Sequence, residues 1–358
     1  MRNKKLSKNF TNKSTMTIHK CHCNFIPDYV FNNLTENGIE NAALSAQQSK
    51  LSRRKREDRV NDMQEFVSLD SVGNSAREVY DCKHKWEQRI KLIRKEGEPD
   101  IDDEAANQAY TNVGIVRDFY KRVFDRNSID NANMDLILNV HYGKKYNNAF
   151  WDGDDMTFGD GDGEAFVNFT KSLDVIAHEL THGVTQWEAN LNYDGQSGAL
   201  NEHFSDVFGT VITQYFEGQT ADSADWLIGD EIMGPKLKGE ALRSMKEPGT
   251  AYDNCIMGKD RQIGHMKDYY LYSDDNHGVH INSGIPNKAF YLSAKEIGTD
   301  NAGLIWYMAL PMLSPSATFN SAVKLIVRQA GILEADGLVP KGSPQVIRAA
   351  FKVVGLPI

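Results

Sequence analysis

The chain has 358 residues, 41% of them apolar and 10% aromatic, enough for one large or two ordinary cores, which excludes a disordered or fibrous polymer. A net charge of −9 excludes a surface that attracts a nucleic-acid backbone throughout, so no nucleic-acid partner is expected. No run of 18 apolar residues occurs, so no membrane partner is expected either.

The first 74 residues differ in kind from the rest. They carry 12 Lys+Arg against 8 Asp+Glu, include the basic run from Lys50 to Arg56, and show apolar patterning only between Cys23 and Leu34. By composition alone this segment is a solvated arm. Met1 to Lys20 is basic and polar without the apolar stretch of a Sec signal peptide, so synthesis in the cytoplasm is expected, with any export by another route. The four cysteines, Cys21, Cys23, Cys82 and Cys255, are too few to staple a chain of this size, and reduced thiols are expected.

From Asn107 to Phe124 the apolar residues Ala109, Val113, Val116, Phe119, Tyr120 and Val123 recur at helical spacing and predict a helix with one buried face. Short apolar runs at Leu136–Val140 and Ala165–Phe169, separated by Gly- and Asp-rich turns, predict strands. Asp160 and Asp162 alternate as in a calcium loop, but the segment lacks the remaining oxygen ligands, the sixth-place glycine and the twelfth-place glutamate of that motif, so a tight turn is the favoured reading. After Leu173 the pattern is helical and stays mostly so to the end. The expected architecture is α+β: a strand-rich lobe over 75–190 meeting a mainly α-helical lobe over 191–358, with a cleft between them.

The segment His178-Glu179-Leu180-Thr181-His182 lies inside an apolar, helix-compatible run. On a helix, residues four apart share a face, so the two imidazoles converge on one point and suit Zn²⁺. Glu179, next to the first histidine, can act as a base beside the metal without ligating it. A second amphipathic helix is predicted around Leu200, Phe204, Val207, Phe208 and Val211, with Glu202 and Asp206 on its polar face. That spacing allows Glu202 to complete the coordination while Asp206 accepts the free N–H of a ligating histidine. A polar segment, Asp274 to Gly284, offers His277 and His280 as donors to an oxyanion, and its spacing does not choose between them.

HELTH at 178–182, SGALNEHFSD at 197–206 and DNHGVHINSGIPNKAFYL at 275–292 together resemble the thermolysin-like zinc metallopeptidases in content, order and spacing. The similarity runs from about Ala76 to the end of the chain. The resemblance implies one catalytic zinc on His178, His182 and Glu202, with Glu179 as general base and proton shuttle and Asp206 orienting His178. It places His280 as the oxyanion donor, Asp275 as its orienter and Tyr193 as a second donor. Asn148 and the main chain of Ala149 would bind substrate backbone, and Arg243 the carbonyl just past the cut. A pocket of Phe166, Phe169, Val175, Ile228 and Leu242 would favour cleavage on the amino side of bulky apolar residues.

The first segment resembles the short propeptide of the protealysin subgroup: Cys23, Pro27 and Tyr29 match its Cys-x-Ile-Pro-Pro-Tyr-like motif, with Asp28 in place of the second proline. The implied protein is a monomeric endopeptidase made as a self-processed zymogen, with residues 1–74 as propeptide and a mature chain beginning near Asn74 to Ala76. Its electropositive leader would dock on the acidic remainder, fill the cleft and inhibit, with Cys23 touching the zinc. Asp174, Asp225 and Asp230 match calcium-binding positions of the family, but Thr213 and Leu227 replace carboxylates there, so one structural calcium is expected rather than a pair. Two other functions share these motifs: a catalytically silent zinc-binding protein plugged by its leader, and a metallo-aminopeptidase.

Overall fold

The computed structural model describes residues 24–39, 41–60 and 75–357, the side chains of 52–60 excepted. After Pro27, whose φ of −66° leads into a helix, come α1 (Asp28–Glu36) and α2 (Ala42–Val60). Val30, Phe31 and Leu34 fall on one face of α1 and are buried with Phe25, Ile26, Ile39 and Ala42. Residues 24–51 are therefore not a solvated arm. Their few apolar side chains suffice because a ready-made apolar surface receives them, which composition alone does not reveal.

The first lobe is a five-stranded sheet of β1 (Arg77–Asp81), β2 (Lys91–Lys95), β3 (Leu136–Val140), β4 (Ala149–Trp151) and β5 (Asp155–Phe158), in the order β2-β1-β3-β5-β4. β1, β3 and β5 are parallel, and the two outer strands run antiparallel to them. Between β2 and β3 runs α3 (Glu104–Phe124), started by the Asp103 carboxylate accepting from Ala106 N–H and ended by left-handed Asp125. Its buried face includes Ala109, Val113, Val116, Phe119 and Tyr120 of the stripe expected from the sequence, with Val123 half-buried and Ala105 and Tyr110 added.

Two helices join the lobes. In α4 (Leu173–Glu188) nearly every residue is buried, and α5 (Gly195–Glu217) is buried from Ser197 to Ile212, because α4 packs on α3 and β4 on one side and along α5 on another. The second lobe continues with α6 (Asp274–Asn282), α7 (Gly284–Ile297), α8 (Thr299–Ala309), α9 (Phe319–Ala335) and α10 (Ser343–Val353).

Two expectations are corrected. The predicted strand at 165–169 is a single bridge, Phe166 to Met233, followed by a 3-10 turn over Phe169–Lys171. The apolar run exists to bury Phe166 and Phe169, not to join the sheet. The stretch from Gly218 to Ser273 is mostly irregular, with two-residue strands, rather than helical. Cys82 and Cys255 are both free thiols. No helix among the described residues is long and apolar enough to cross a membrane.

Candidate metal centre and substrate cleft

One turn of α4 separates His178 from His182, and Glu202 comes from α5 packed alongside. The ligand atoms of the three lie within 4.8 Å of one another. His178 Nε2 and His182 Nε2 are 3.0 Å apart, and each is 3.4 Å from a Glu202 oxygen. Tetrahedral donors at about 2.05 Å from a zinc ion stand roughly 3.3 Å apart, so the spacing fits. The tautomers agree. His178 Nδ1–H donates to Asp206 Oδ1 (2.9 Å) and His182 Nδ1–H to Asn201 Oδ1 (2.8 Å), so the Nε2 atoms of both rings face one another and the Glu202 carboxylate, the donor set a zinc ion takes. Asn201 is a partner the sequence reading missed; only its place one residue before Glu202 hinted at it.

Glu179 sits beside this group, fully buried, with Trp151 N–H donating to its Oε2 (2.9 Å). Burial pushes its carboxyl up, against the pull of His182 and His178, which favours a group that takes and returns a proton. Asp206 is the hub of the second layer. Arg243 Nε and Nη2 donate to it at 2.8–3.0 Å, and although burial opposes its charge, Arg243 and His178 hold its carboxyl down near about 2.

Behind Asp206 runs a hydrogen-bonded chain. Trp306 Nε1–H donates to His203 Nε2 (2.7 Å), His203 Nδ1–H to Asn287 Oδ1 (2.7 Å), and Asn287 Nδ2–H to Asp206 Oδ2 (2.9 Å). Burial pushes His203 down to about 4, so it is neutral and its tautomer is fixed by its two partners. The sequence offers no role for His203, since its partners lie 84 and 103 residues away.

Backbone shape places His277 and His280 differently. Asp275, Asn276, His277 and Gly278 form a left-handed turn before α6 becomes regular. It leaves His277 outside, pairing with Asp194 (2.6 Å), and turns Asp275 back onto His280. Asp275 Oδ1 lies 2.6 Å from His280 Nδ1, and Asp275 Oδ2 accepts from His280 N–H (2.9 Å). Burial works against a charge on His280, but Glu202 and Asp275 outweigh it and raise its pKa to about 9. The Tyr193 hydroxyl meets Glu202 Oε1 and lies 3.3 Å from His280 Nε2.

The leader runs through this cleft. His280 Nε2 lies 3.2 Å from the Asn24 carbonyl, Phe25 N–H donates to the Ala149 carbonyl (3.3 Å), and Arg243 Nη1 donates to the Phe25 carbonyl (3.3 Å). Ile26 N–H donates to Asn148 Oδ1 (3.0 Å). The Phe25 ring meets His178 edge-on at 5.1 Å, lies under the Arg243 guanidinium at 4.8 Å and comes close to Gly229, beside Leu242. Phe166, Phe169, Val175, Ile228 and Leu242 belong to the same buried core as Phe25. Pro27 precedes α1, and Tyr29 lies under the Arg261 guanidinium (4.7 Å). Cys23 lies outside the described residues.

Among the described side chains this seat is apolar and backbone-mediated; the side chains of the basic run beyond Leu51 lie outside the described residues. Lys50 is mostly exposed and its ion pair, 3.9 Å long, is with Asp28 of the same leader. Of the expected calcium residues, Asp174 accepts from Ser172, Val175 and Gly229, and Asp225 from Leu227. Burial with Asp174 and Asp225 nearby raises Asp230 to about 6. The three do not form a converging donor group among the described residues, where two such groups occur.

Two family descriptions match nearly the whole chain: "Thermolysin metallopeptidase, catalytic domain" over residues 38–186 and "Thermolysin metallopeptidase, alpha-helical domain" over 189–356. An extracellular metalloprotease of Pectobacterium carotovorum subsp. carotovorum is 45% identical over 291 residues, 80% of this chain and 84% of that protein. Protease PrtS of Photorhabdus sp. (strain Az29) is 45% identical over 321 residues, 85% of each. A thermolysin of Alicyclobacillus acidocaldarius subsp. acidocaldarius is 40% identical over 267 residues, 71% of this chain and 46% of its own longer one. Among solved structures, the precursor of protealysin, a metalloproteinase from Serratia proteamaculans, superposes with a TM-score of 0.81 at 40% identity, over 93% of this chain and 99% of that one.

Proposed function

Because the chain belongs to the thermolysin metallopeptidase family, and so is a zinc metalloendopeptidase that acts on protein or peptide substrates, we propose that it is made as a self-processed zymogen and cuts on the amino side of bulky apolar residues. The observation that carries this is the leader's register: Asn24, Phe25 and Ile26 lie in the cleft as a substrate would, with Phe25 as the apolar residue just past the bond.

In this reading His178, His182 and Glu202 hold the zinc, which when bound polarises the scissile carbonyl and makes a water acidic near neutral pH. Glu179 takes the proton from the attacking water and passes it to the leaving amide nitrogen. His280, kept charged by Asp275, donates to the oxygen on which negative charge develops, and Tyr193 stands ready as a second donor. Arg243, Asn148 and the Ala149 carbonyl fix the backbone past the cut, and the pocket beside Leu242 takes the apolar side chain. Asp206 orients His178 while anchoring Arg243, so metal and substrate sites share one carboxylate. The leader inhibits by occupying these contacts.

Calcium fits this chain only weakly. With Asp174 engaged by its own backbone neighbours and Asp225 and Asp230 the remaining carboxylates, the segment suits one ion at most.

The test is the intact mass of the purified chain over time, beside Glu179→Ala and a chelator-treated sample. Loss of about the first 74 residues by the wild type alone supports self-processing. Equal loss in all three assigns the cut to another protease, and no loss in any favours the silent zinc-binding reading.

A further inference from the structure

The Asp-rich turn that resembles part of a calcium loop separates into two jobs. Asp162 is the turn: its Oδ1 accepts from the N–H groups of Glu164 (2.7 Å), Ala165 (2.8 Å) and Phe166 (3.2 Å). Asp160 instead faces two histidines. One of its oxygens is 2.8 Å from His141 Nδ1 and the other 3.2 Å from His84 Nδ1, and the ligand atoms of the three side chains lie within 4.8 Å of one another.

The sheet brings them together. β1, β3 and β5 are adjacent and parallel, and His84, His141 and Asp160 stand just past their carboxyl ends, where parallel strands converge their loops into a crevice. A second feature points to a ligand. The other nitrogen of His141, Nε2, is held at 3.1 Å by Asp103, whose remaining oxygen caps α3. A carboxylate on the far nitrogen is the arrangement that fixes a metal-ligating imidazole, leaving Nδ1 to the metal.

We propose that His84, His141 and Asp160 form a second metal site, separate from the catalytic group, that takes a borderline divalent cation such as Zn²⁺. Two imidazoles with one carboxylate favour such an ion over Ca²⁺ or Mg²⁺, which need more oxygen ligands. The 3.2 Å between His84 Nδ1 and Asp160 Oδ2 is close to the roughly 3.3 Å edge of a tetrahedral zinc shell, the ligand atoms of all three lie within 4.8 Å, and the exposed side of His84 leaves room for water as a further ligand. Bound there, the ion clamps β1, the first strand after the leader, to β3 and β5.

The full chain with its catalytic zinc in place is titrated with Zn²⁺ by calorimetry, and bound metal is counted by elemental analysis. Co²⁺ absorption reports the ligand set in parallel. The wild type should bind one extra equivalent and gain thermal stability from it. His84→Ala, a change at an exposed side chain, should lose both, and Asp103→Asn, which keeps the helix cap, should weaken binding by about 10- to 100-fold. His277→Ala, another exposed histidine, should bind as the wild type does. No extra equivalent in the wild type would reduce the cluster to a histidine salt-bridged by two aspartates, and equal binding by His84→Ala would mean adventitious surface metal. Either result overturns the proposal.

Discussion

Removing the Phe25 ring separates an apolar lock from an electrostatic one. Phe25 is fully buried and packs on His178, Arg243 and Gly229, while its backbone bonds to Ala149 and Arg243 would survive truncation. Phe25→Ala should weaken leader docking by about 3 kcal/mol, the low end for a buried Phe-to-Ala change. That multiplies the open-cleft population by roughly 150. The assay is the affinity of a zinc-directed hydroxamate peptide for the uncleaved chain in a Glu179→Ala background, where no processing occurs. While the cleft is mostly closed, apparent affinity scales with the open fraction, so it should improve about a hundredfold. Lys50→Ala removes a leader charge whose partner is Asp28 in the leader itself and should leave affinity within about twofold. A Phe25→Ala effect below threefold, or an equal effect of Lys50→Ala, would refute the reasoning.

Two further outcomes concern stability. Glu96 accepts from Arg77 Nε (2.6 Å) and Arg117 Nη1 (3.1 Å), and the hydrogen bond from Arg77 holds its carboxyl down to about 2 against some burial. Its folded pKa is depressed, so its contribution is present above the unfolded value near 4.5 and is lost as pH falls through about 2. Discounted for solvent exposure, it is on the order of 1 kcal/mol, and the difference in urea-unfolding free energy between wild type and Glu96→Gln should shrink over that window; a pH-independent difference would exclude it. His203→Ala should cost several kcal/mol, because it leaves a cavity and strands the buried Trp306 N–H. Adding Trp306→Phe removes the stranded donor, so the double variant should be less destabilised than the two single losses added together; full additivity in thermal unfolding would break the chain.

What the sequence made legible was local. His178 and His182 are one helical turn apart, Glu202 and Asp206 another, and α3 shows its buried stripe, because helix geometry converts spacing into position without knowledge of the rest of the fold. The same logic read the β3 run correctly and misread 165–169, since an apolar run of five residues does not say whether its partner is a strand or a core. His280 required the left-handed turn at 275–278, which no periodicity encodes. Asn201, His203, Asn287 and Trp306 act through partners supplied by tertiary packing.

The described part of the leader is seated by apolar side chains and peptide groups. Phe25, Ile26, Val30, Phe31 and Leu34 are all buried, and the peptide groups of residues 24–26 pair with the cleft and set the register. Exposed charge pairs give about 1 kcal/mol or less, while a buried Phe alone gives roughly 1.5–3 kcal/mol and fixes register as well. A lock built on that register must use the determinants that recognise substrate. In the proposed reading inhibition and specificity rest on the same atoms, so substitutions at Arg243 or Asn148 that loosen the leader should also raise KM for peptides.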